Sequence, residues 1–224
     1  MQMLASKSEN RTYLVGPAKL TNSTFFVIIY LMREMNSRYV PVVQKPFCCV
    51  PACLQMILNK HGINPPTQDM LGYHLGLVVP PEKADKFSPV RIGSGPEAGT
   101  GTRIFEPEYN FNTVAERLGW GLELLFTSPD DLTVKGLADY LSEGEAEDRD
   151  AIVSIDYRTL YRTKETSSHV SLFDGISGDT VQLVDPAVIA GIDSQIRQVN
   201  ISTLLTAMQN NSPWMGGLWE IILV

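Results

Sequence analysis

The protein has 224 residues, and 44% of them are hydrophobic, which is enough to bury one substantial core; a second domain is possible but not required. Its formal net charge is −7 and its isoelectric point is near 5.0. Nucleic-acid binding depends on clustered Lys and Arg, so this acidic balance argues against nucleic acid as a partner.

Residues 1–38 are predicted to form an N-terminal extension of unknown role. Residues 1–24 are mostly polar, and Thr21-Asn22-Ser23 could cap a helix over residues 25–35, although a buried strand fits the same apolar run. That run, residues 25–32, falls well short of the roughly 20 residues that span a bilayer, so no membrane span is expected. The first 20 residues lack the pattern of a secretory signal.

The cysteines bear on the compartment of the protein. There are three of them, at positions 48, 49 and 53, and an odd number of closely spaced cysteines does not make a disulfide framework. A reducing compartment is therefore favoured, and without a secretory signal we expect the cytoplasm.

Residues 39–224 are predicted to form the main domain, which begins with a short edge strand over residues 39–43, because Pro41 excludes a central position. A helix should then begin at Cys49 and end at His61-Gly62. The unpaired N–H groups and the positive dipole end at a helix start favour a thiolate over a thiol. Cys49 is therefore a candidate nucleophile.

Thr67 is predicted to cap a helix over residues 68–75. Residues 78–102 are rich in Gly, Pro and Ser, which is typical of a loop. Loops of this length inside a domain are uncommon unless they are functional. It is either a lid or groove wall, or a solvated excursion, and both interpretations stay open.

Further elements follow from apolar periodicity and turn residues. They are a helix over residues 111–118 with Asn112 as its cap, a strand over 121–126, a helix over 132–141 capped by Asp130-Asp131, a solvated turn in the acidic run 143–150, and a buried strand over 151–155. The linker 156–168, which contains Tyr157 and Tyr161, leads directly to His169 and should overhang a cleft.

Residues 169–185 are predicted to form two strands in which apolar and polar residues alternate, joined by a turn at residues 176–179. The first strand begins at His169, and the second ends at Asp185. Antiparallel pairing brings these two ends side by side, which places an imidazole beside a carboxylate. A nucleophilic cysteine needs such a base, and the base needs a group that orients it. A last helix over residues 201–208, with Asn200 as its cap, and a closing strand within 214–224 complete the chain.

The blocks Cys49-Val50-Pro51-Ala52, Ser168-His169 and Asp185-Pro186 resemble, in order, those of the C39-like, bacteriocin-processing branch of the papain-like cysteine peptidases. This resemblance implies an α+β papain-like fold in which an N-terminal catalytic helix packs on an antiparallel sheet that carries the His and the Asp. It also implies a Cys49 nucleophile, a His169 base, an orienting Asp185 and an oxyanion donor at Gln44. Val50 departs from the glycine usual there, and Gln44 lies five residues before Cys49, where many papain-like enzymes have six.

Other residues compete for these roles. Cys48 adjoins Cys49 but breaks the spacing to Pro51, and Cys53, one turn further along the helix, should be core. His61 lies roughly 18 Å along the helix axis from Cys49 and fits a helix cap, and His74 fits a surface site. Asp174 and Asp179 fit ordinary turn carboxylates at the far end of the hairpin.

No metal or other cofactor is expected, because the spacing of Cys49, Cys53 and His61 is unlike that of structural zinc sites. The sequence therefore predicts a cysteine peptidase that acts on a peptide or protein substrate. Acyl transfer or glutamine deamidation by the same three residues is an alternative, and so is a catalytically weak peptide-binding module. Oligomeric state is not predicted.

Overall fold

The computed structural model describes residues 37–164, 168–188, 194–211 and 216–224. The predicted helix at residues 25–35, and the predicted extension up to residue 36, lie outside the described residues. Within the described ranges, no helix is long and apolar enough to cross a membrane.

A six-stranded antiparallel sheet runs through the described residues in the order β1-β6-β2-β3-β4-β5. Its strands are β1 (Leu122–Thr127), β2 (Asp150–Asp156), β3 (Ser168–Ser177), β4 (Thr180–Val184), β5 (Ile196–Asn200) and β6 (Gly217–Leu223). The C-terminal strand β6 lies between β1 and β2. The predicted hairpin is β3 and β4.

Six α-helices flank the sheet in the described residues. They are α1 (Cys49–Lys60), α2 (Gln68–His74), α3 (Phe111–Leu118), α4 (Val134–Ala146), α5 (Tyr157–Tyr161) and α6 (Ile201–Asn210). Helix α1 packs on β3 and on α2, and α3 packs on β1. Helix α4 packs on β3, while α6 packs on β2 and α5.

The sheet separates two hydrophobic clusters because successive residues of a strand point to opposite faces. Val170 and Leu172 of β3 join the cluster that contains α1, whereas Phe173 joins the cluster that contains α4 and α6. The fold is therefore α+β with an antiparallel sheet, as predicted, and the cysteine helix is buried against the strand that carries His169.

Two helix caps differ from the prediction. Asn110, not Asn112, caps α3 by accepting from the N–H groups of residues 112 and 113, and Asn112 instead pairs its amide with the backbone of Leu124 on β1. Helix α4 begins at Val134 with Thr133 as its cap, two residues later than predicted. In both cases the residue that caps the helix lies two or three residues from the cap that was predicted from the sequence.

Residues 39–43 form no strand, contrary to the prediction. Pro41 lacks an N–H, and this segment is held by isolated bonds, such as Gln195 Nε2 to the Val42 carbonyl at 3.1 Å, rather than by a ladder. Strand β5 was not predicted at all.

The acidic run 143–150 is not a turn throughout, because α4 extends to Ala146 and Asp150 opens β2 with its side chain buried. Asp174 is not a turn residue either. It lies at a bulge of β3, is buried, and accepts from Arg38 N and Gln182 Nε2, each at 2.8 Å. Asp179 is in the hairpin turn as predicted.

Candidate active site

Cys49 is the first residue of α1, and among the three cysteines it alone is not buried. Cys48 and Cys53 have no exposed surface. Burial, followed by the charges of Cys49 and Asp69, raises the pKa of Cys48 to about 12. Burial also raises the pKa of Cys53 well above its usual value. Cys49 is therefore the cysteine available for chemistry.

The backbone turns sharply just before the cysteine helix. Phe47 has a φ of 65°, in the left-handed region that residues other than glycine seldom occupy. The turn is closed by a hydrogen bond from Cys48 N to Lys45 O at 3.0 Å. Backbone strain of this kind is often found at functional sites. After this turn, Cys48 packs in a small apolar cluster with Leu77, Val79 and Phe87, whereas Cys49 is only partly buried.

The loop that carries Gln44 is held from two sides. Gln44 N donates to the Pro186 carbonyl at 2.9 Å, which places residue 44 beside the end of β4. From α2, the buried amide of Gln68 donates to Val43 O at 2.9 Å and accepts from Lys45 N at 2.7 Å. The side-chain oxygen of Gln44 is buried without a hydrogen-bond partner. The backbone of Gln44 is thus fixed, and its side-chain amide is not tied to a neighbour.

His169 and Asp185 meet at the end of the β3–β4 hairpin. The pairing of Leu172 with Val184 puts Asp185 level with Ser171, so His169 is its diagonal neighbour. His169 Nε2 lies 2.7 Å from Asp185 Oδ1, which also accepts from Ala187 N at 2.8 Å. Both side chains are buried.

The His169 ring also interacts with the Cys49 side chain, which acts to raise the pKa of His169. Because Nε2 faces Asp185, Nδ1 is the nitrogen left for the sulfur. Burial lowers the pKa of His169, but the hydrogen bonds and negative charges of Asp185 and Cys49 outweigh it and raise this pKa from 6.5 to about 10. The imidazole is therefore charged at neutral pH.

Asp185 is ionised despite its burial. Burial acts to raise its pKa, but the hydrogen bond and charge of His169, the nearby hydroxyl of Tyr161 and the hydrogen bond from Ala187 N lower it below its usual value. The structure places Cys49 beside the His169–Asp185 pair, with Gln44 on the neighbouring loop. The catalytic roles of these four residues stay a prediction.

The linker between β2 and β3 contributes a wall to the site. Its Tyr157, the first residue of α5, packs edge-on against the His169 ring with 5.1 Å between ring centroids. Residues 165–167 lie outside the described residues. The sequence indicated that this linker lies over the cleft, but not that a tyrosine ring contacts the base. Gln68 gave no sequence signal, because its contacts span more than 20 residues of chain.

The competing histidines lie elsewhere. His61 caps α1 and lies 2.5 Å from Asp150 Oδ2, which belongs to a buried carboxylate that also accepts from Tyr39 and Lys60. His74 packs edge-on against Tyr73 at the end of α2. Within the described part of the chain, no cluster of three or more His, Cys, Asp or Glu could hold a metal ion.

No family model matches the sequence, and no curated protein matches it significantly. Solved structures do match the fold. A candidate C39-like peptidase from Bacillus anthracis superposes with a TM-score of 0.53 at 14% identity, over 83% of this chain and 95% of that chain. The chain therefore has the fold of C39-like peptidases, which confirms the predicted fold.

Two further structures are more distant. The peptidase domain of Streptococcus ComA, a bifunctional ABC transporter of a quorum-sensing pathway, has a TM-score of 0.45 at 16% identity, over 83% of this chain and 96% of that chain. The double-glycine-motif protease of an AMS/PCAT transporter, solved with its leader peptide, has a TM-score of 0.44 at 12% identity, over 82% and 89%.

Proposed function

We propose that the protein is a cysteine peptidase that hydrolyses a peptide bond with Cys49 as nucleophile, His169 as general base and acid, and Asp185 as the residue that orients the imidazole. The observation that carries this proposal is the buried imidazole of His169, which lies 2.7 Å from Asp185 Oδ1 and also interacts with Cys49, the one of the three cysteines that is not buried. The C39-like peptidase fold supports a peptide as the substrate class.

The first step is formation of the nucleophile. His169 lies beside Cys49 to take up the thiol proton, and the positive end of the α1 dipole lies at Cys49. The first turn of α1 carries no acidic side chain. The sulfur therefore lies beside a histidine and at the positive end of a helix, with no carboxylate in that turn.

Attack on the scissile carbonyl gives a tetrahedral intermediate whose oxygen carries negative charge. The Cys49 N–H at the free end of α1 and the side-chain amide of Gln44 are the donors for this oxygen. Gln68 hydrogen-bonds the backbone of residues 43 and 45, and Gln44 N donates to the Pro186 carbonyl. These bonds fix the backbone from which the Gln44 side-chain amide extends. His169 then protonates the leaving amine, and water releases the acyl group.

The test compares adjacent cysteines. Cys49→Ala should abolish cleavage of a peptide library, whereas Cys48→Ala should retain it, because Cys48 packs in the apolar cluster away from the site. Equal loss in both variants, with both folded, would contradict the assignment.

Mass spectrometry of the products with and without an added primary amine separates hydrolysis from acyl transfer and deamidation. Peptide binding by Cys49→Ala without any cleavage by the parent protein would favour a binding module.

A further inference from the structure

Behind Asp185, on the side away from His169, lies a group of buried polar atoms that have no hydrogen-bond partner. They are the hydroxyl of Tyr161, Ser171 Oγ, Asp185 Oδ2 and the three guanidinium nitrogens of Arg197. We call these four residues the support cluster. Asp185 has no exposed surface and Arg197 has 6%.

The support cluster is assembled from four elements. Tyr161 ends α5, Ser171 lies on β3 level with Asp185, and Arg197 of β5 pairs with Leu183 of β4. Leu183 faces the hydrophobic cluster that Tyr161 packs against. The side chains therefore meet on the face of the sheet that α5 covers, directly behind the carboxylate.

The chemistry of the support cluster is complementary. Asp185 Oδ2 can only accept while it is ionised, whereas the two hydroxyls and the guanidinium can donate. A buried charge is costly unless another charge or a hydrogen bond compensates it. The carboxylate of Asp185 and the guanidinium of Arg197 are both buried and both influence the Tyr161 hydroxyl. The negative charge of Asp185 therefore compensates the positive charge of Arg197.

The electrostatic influence of these groups on one another agrees with this arrangement. Burial and then the interaction with Asp185 raise the pKa of Tyr161, while the charge of Arg197 acts to lower it. In return, the hydroxyl of Tyr161 acts to lower the pKa of Asp185. The phenol is thus close enough to affect the carboxylate, and Arg197 makes that phenol a stronger donor.

Packing alone does not account for Tyr161. Its ring contacts Tyr157 edge-on at 4.8 Å between centroids, and a phenylalanine would make the same contact. The hydroxyl adds nothing to that contact and brings a desolvation cost. Its hydroxyl is, however, buried without a hydrogen-bond partner, and so is Asp185 Oδ2, the carboxylate oxygen that His169 does not use.

We propose that Tyr161 is a positioning residue that donates its hydroxyl to Asp185 Oδ2 and, with Arg197 behind it, keeps the carboxylate ionised and aligned with His169. This inference deepens the proposed function and rests on it, because it assigns a fourth side chain to the same site. Its direct consequence is that Asp185 stays ionised and paired with His169 to lower pH than a two-residue His–Asp contact allows.

The ionisable groups that face Asp185 come from every element around it. They are Cys49 and Cys53 of α1, His169 of β3, Tyr161 of α5 and Arg197 of β5. Cys53 is buried, and its raised pKa keeps it neutral in the acid range. Between pH 4 and 8, the pairing of Asp185 with His169 and Cys49 therefore sets the charge of the site.

The test is the pH profile of Cys49 alkylation by iodoacetamide in the full chain, a readout that needs no substrate. Tyr161→Phe raises the pKa of Asp185, and a buried His169 without an ionised partner loses its proton because burial lowers its pKa. We expect the acid limb to move to higher pH, with alkylation roughly tenfold slower on that limb and unchanged near pH 8. Tyr39→Phe is the matched control, since it removes a phenol from buried Asp150 at the other end of α1.

Arg197→Met is the second variant. It removes the positive charge behind Tyr161 and should move the acid limb in the same direction. If Tyr161→Phe or Arg197→Met folds and keeps the parent profile, the inference is overturned. If the profile moves in both but the parent cleaves no peptide, the proposed function fails while the positioning role stands.

Discussion

Replacing Asp185 by Asn tests the electrostatic basis of the site, because the two side chains have nearly the same shape but only one is charged. The carboxylate gives His169 its strongest upward influence on pKa, through a hydrogen bond of 2.7 Å in a fully buried setting. Without that charge, the influence that opposes burial is weaker, and the pKa of His169 falls from about 10. The imidazolium then loses its proton at lower pH than in the parent protein.

The magnitude follows from linkage. A histidine pKa raised on folding stabilises the folded protein fully below the unfolded value of 6.5, and this contribution disappears as pH rises to about 10. At about 1.4 kcal/mol per unit, the shift corresponds to on the order of 5 kcal/mol, of which Asp185 supplies a large part. Asp185→Asn should therefore remove most of the decline in stability between pH 6.5 and 10.

Urea unfolding at several pH values measures this decline, and Asp179→Asn, in the turn of the same hairpin, is the control. Asp179 is exposed, so its variant should follow the parent curve. We also expect kcat/KM of Asp185→Asn to fall by on the order of 10²- to 10⁴-fold. A variant with the parent's pH dependence of stability would refute the reasoning, whatever its activity.

Three other substitutions test separate parts of the structure. Gln68→Ala removes both bonds to residues 43 and 45, so we expect a loss of about 1–3 kcal/mol in the unfolding free energy and a larger relative loss of kcat than of Cys49 alkylation. Thr133→Ala should lower the unfolding free energy by about 1 kcal/mol, since it removes the α4 cap, while Asp131→Ala should not. Arg38→Met should destabilise the fold without changing the alkylation profile, because its guanidinium donates to the carbonyls of residues 149, 173 and 174. Thermal unfolding and alkylation rates measured on each variant check these outcomes.

The elements that sequence could predict are those whose signals are local. Helix α1 has its start and its glycine stop within one stretch, and the β3–β4 hairpin has its turn between two alternating strands. Pairing across that hairpin then implies that His169 and Asp185 meet, since they lie at corresponding ends. The meeting of Cys49 with His169 came from the family resemblance, because 120 residues separate them and no local rule joins them.

The predictions that failed concern residues whose burial depends on contacts with distant parts of the chain. Asp150 lies in an acidic run that favours solvent, yet it is buried because Tyr39, Lys60 and His61 converge on it from distant parts of the chain. Asp174 is likewise buried by Arg38 and Gln182. Tyr161 was visible only as an aromatic residue in a linker, and its relation to Asp185 depends on how α5 folds back over the sheet.

The central position of β6 has a consequence for biosynthesis. A ribosome releases β1 and β2 long before residues 217–223, yet those two strands have no pairing with each other and are joined only through the late strand. A nascent chain that already carries both the cysteine helix and the histidine hairpin therefore still exposes an open strand edge. The sheet cannot close until residues 217–223 have been synthesised, and a nonsense mutation just before Gly217 should yield an aggregating product.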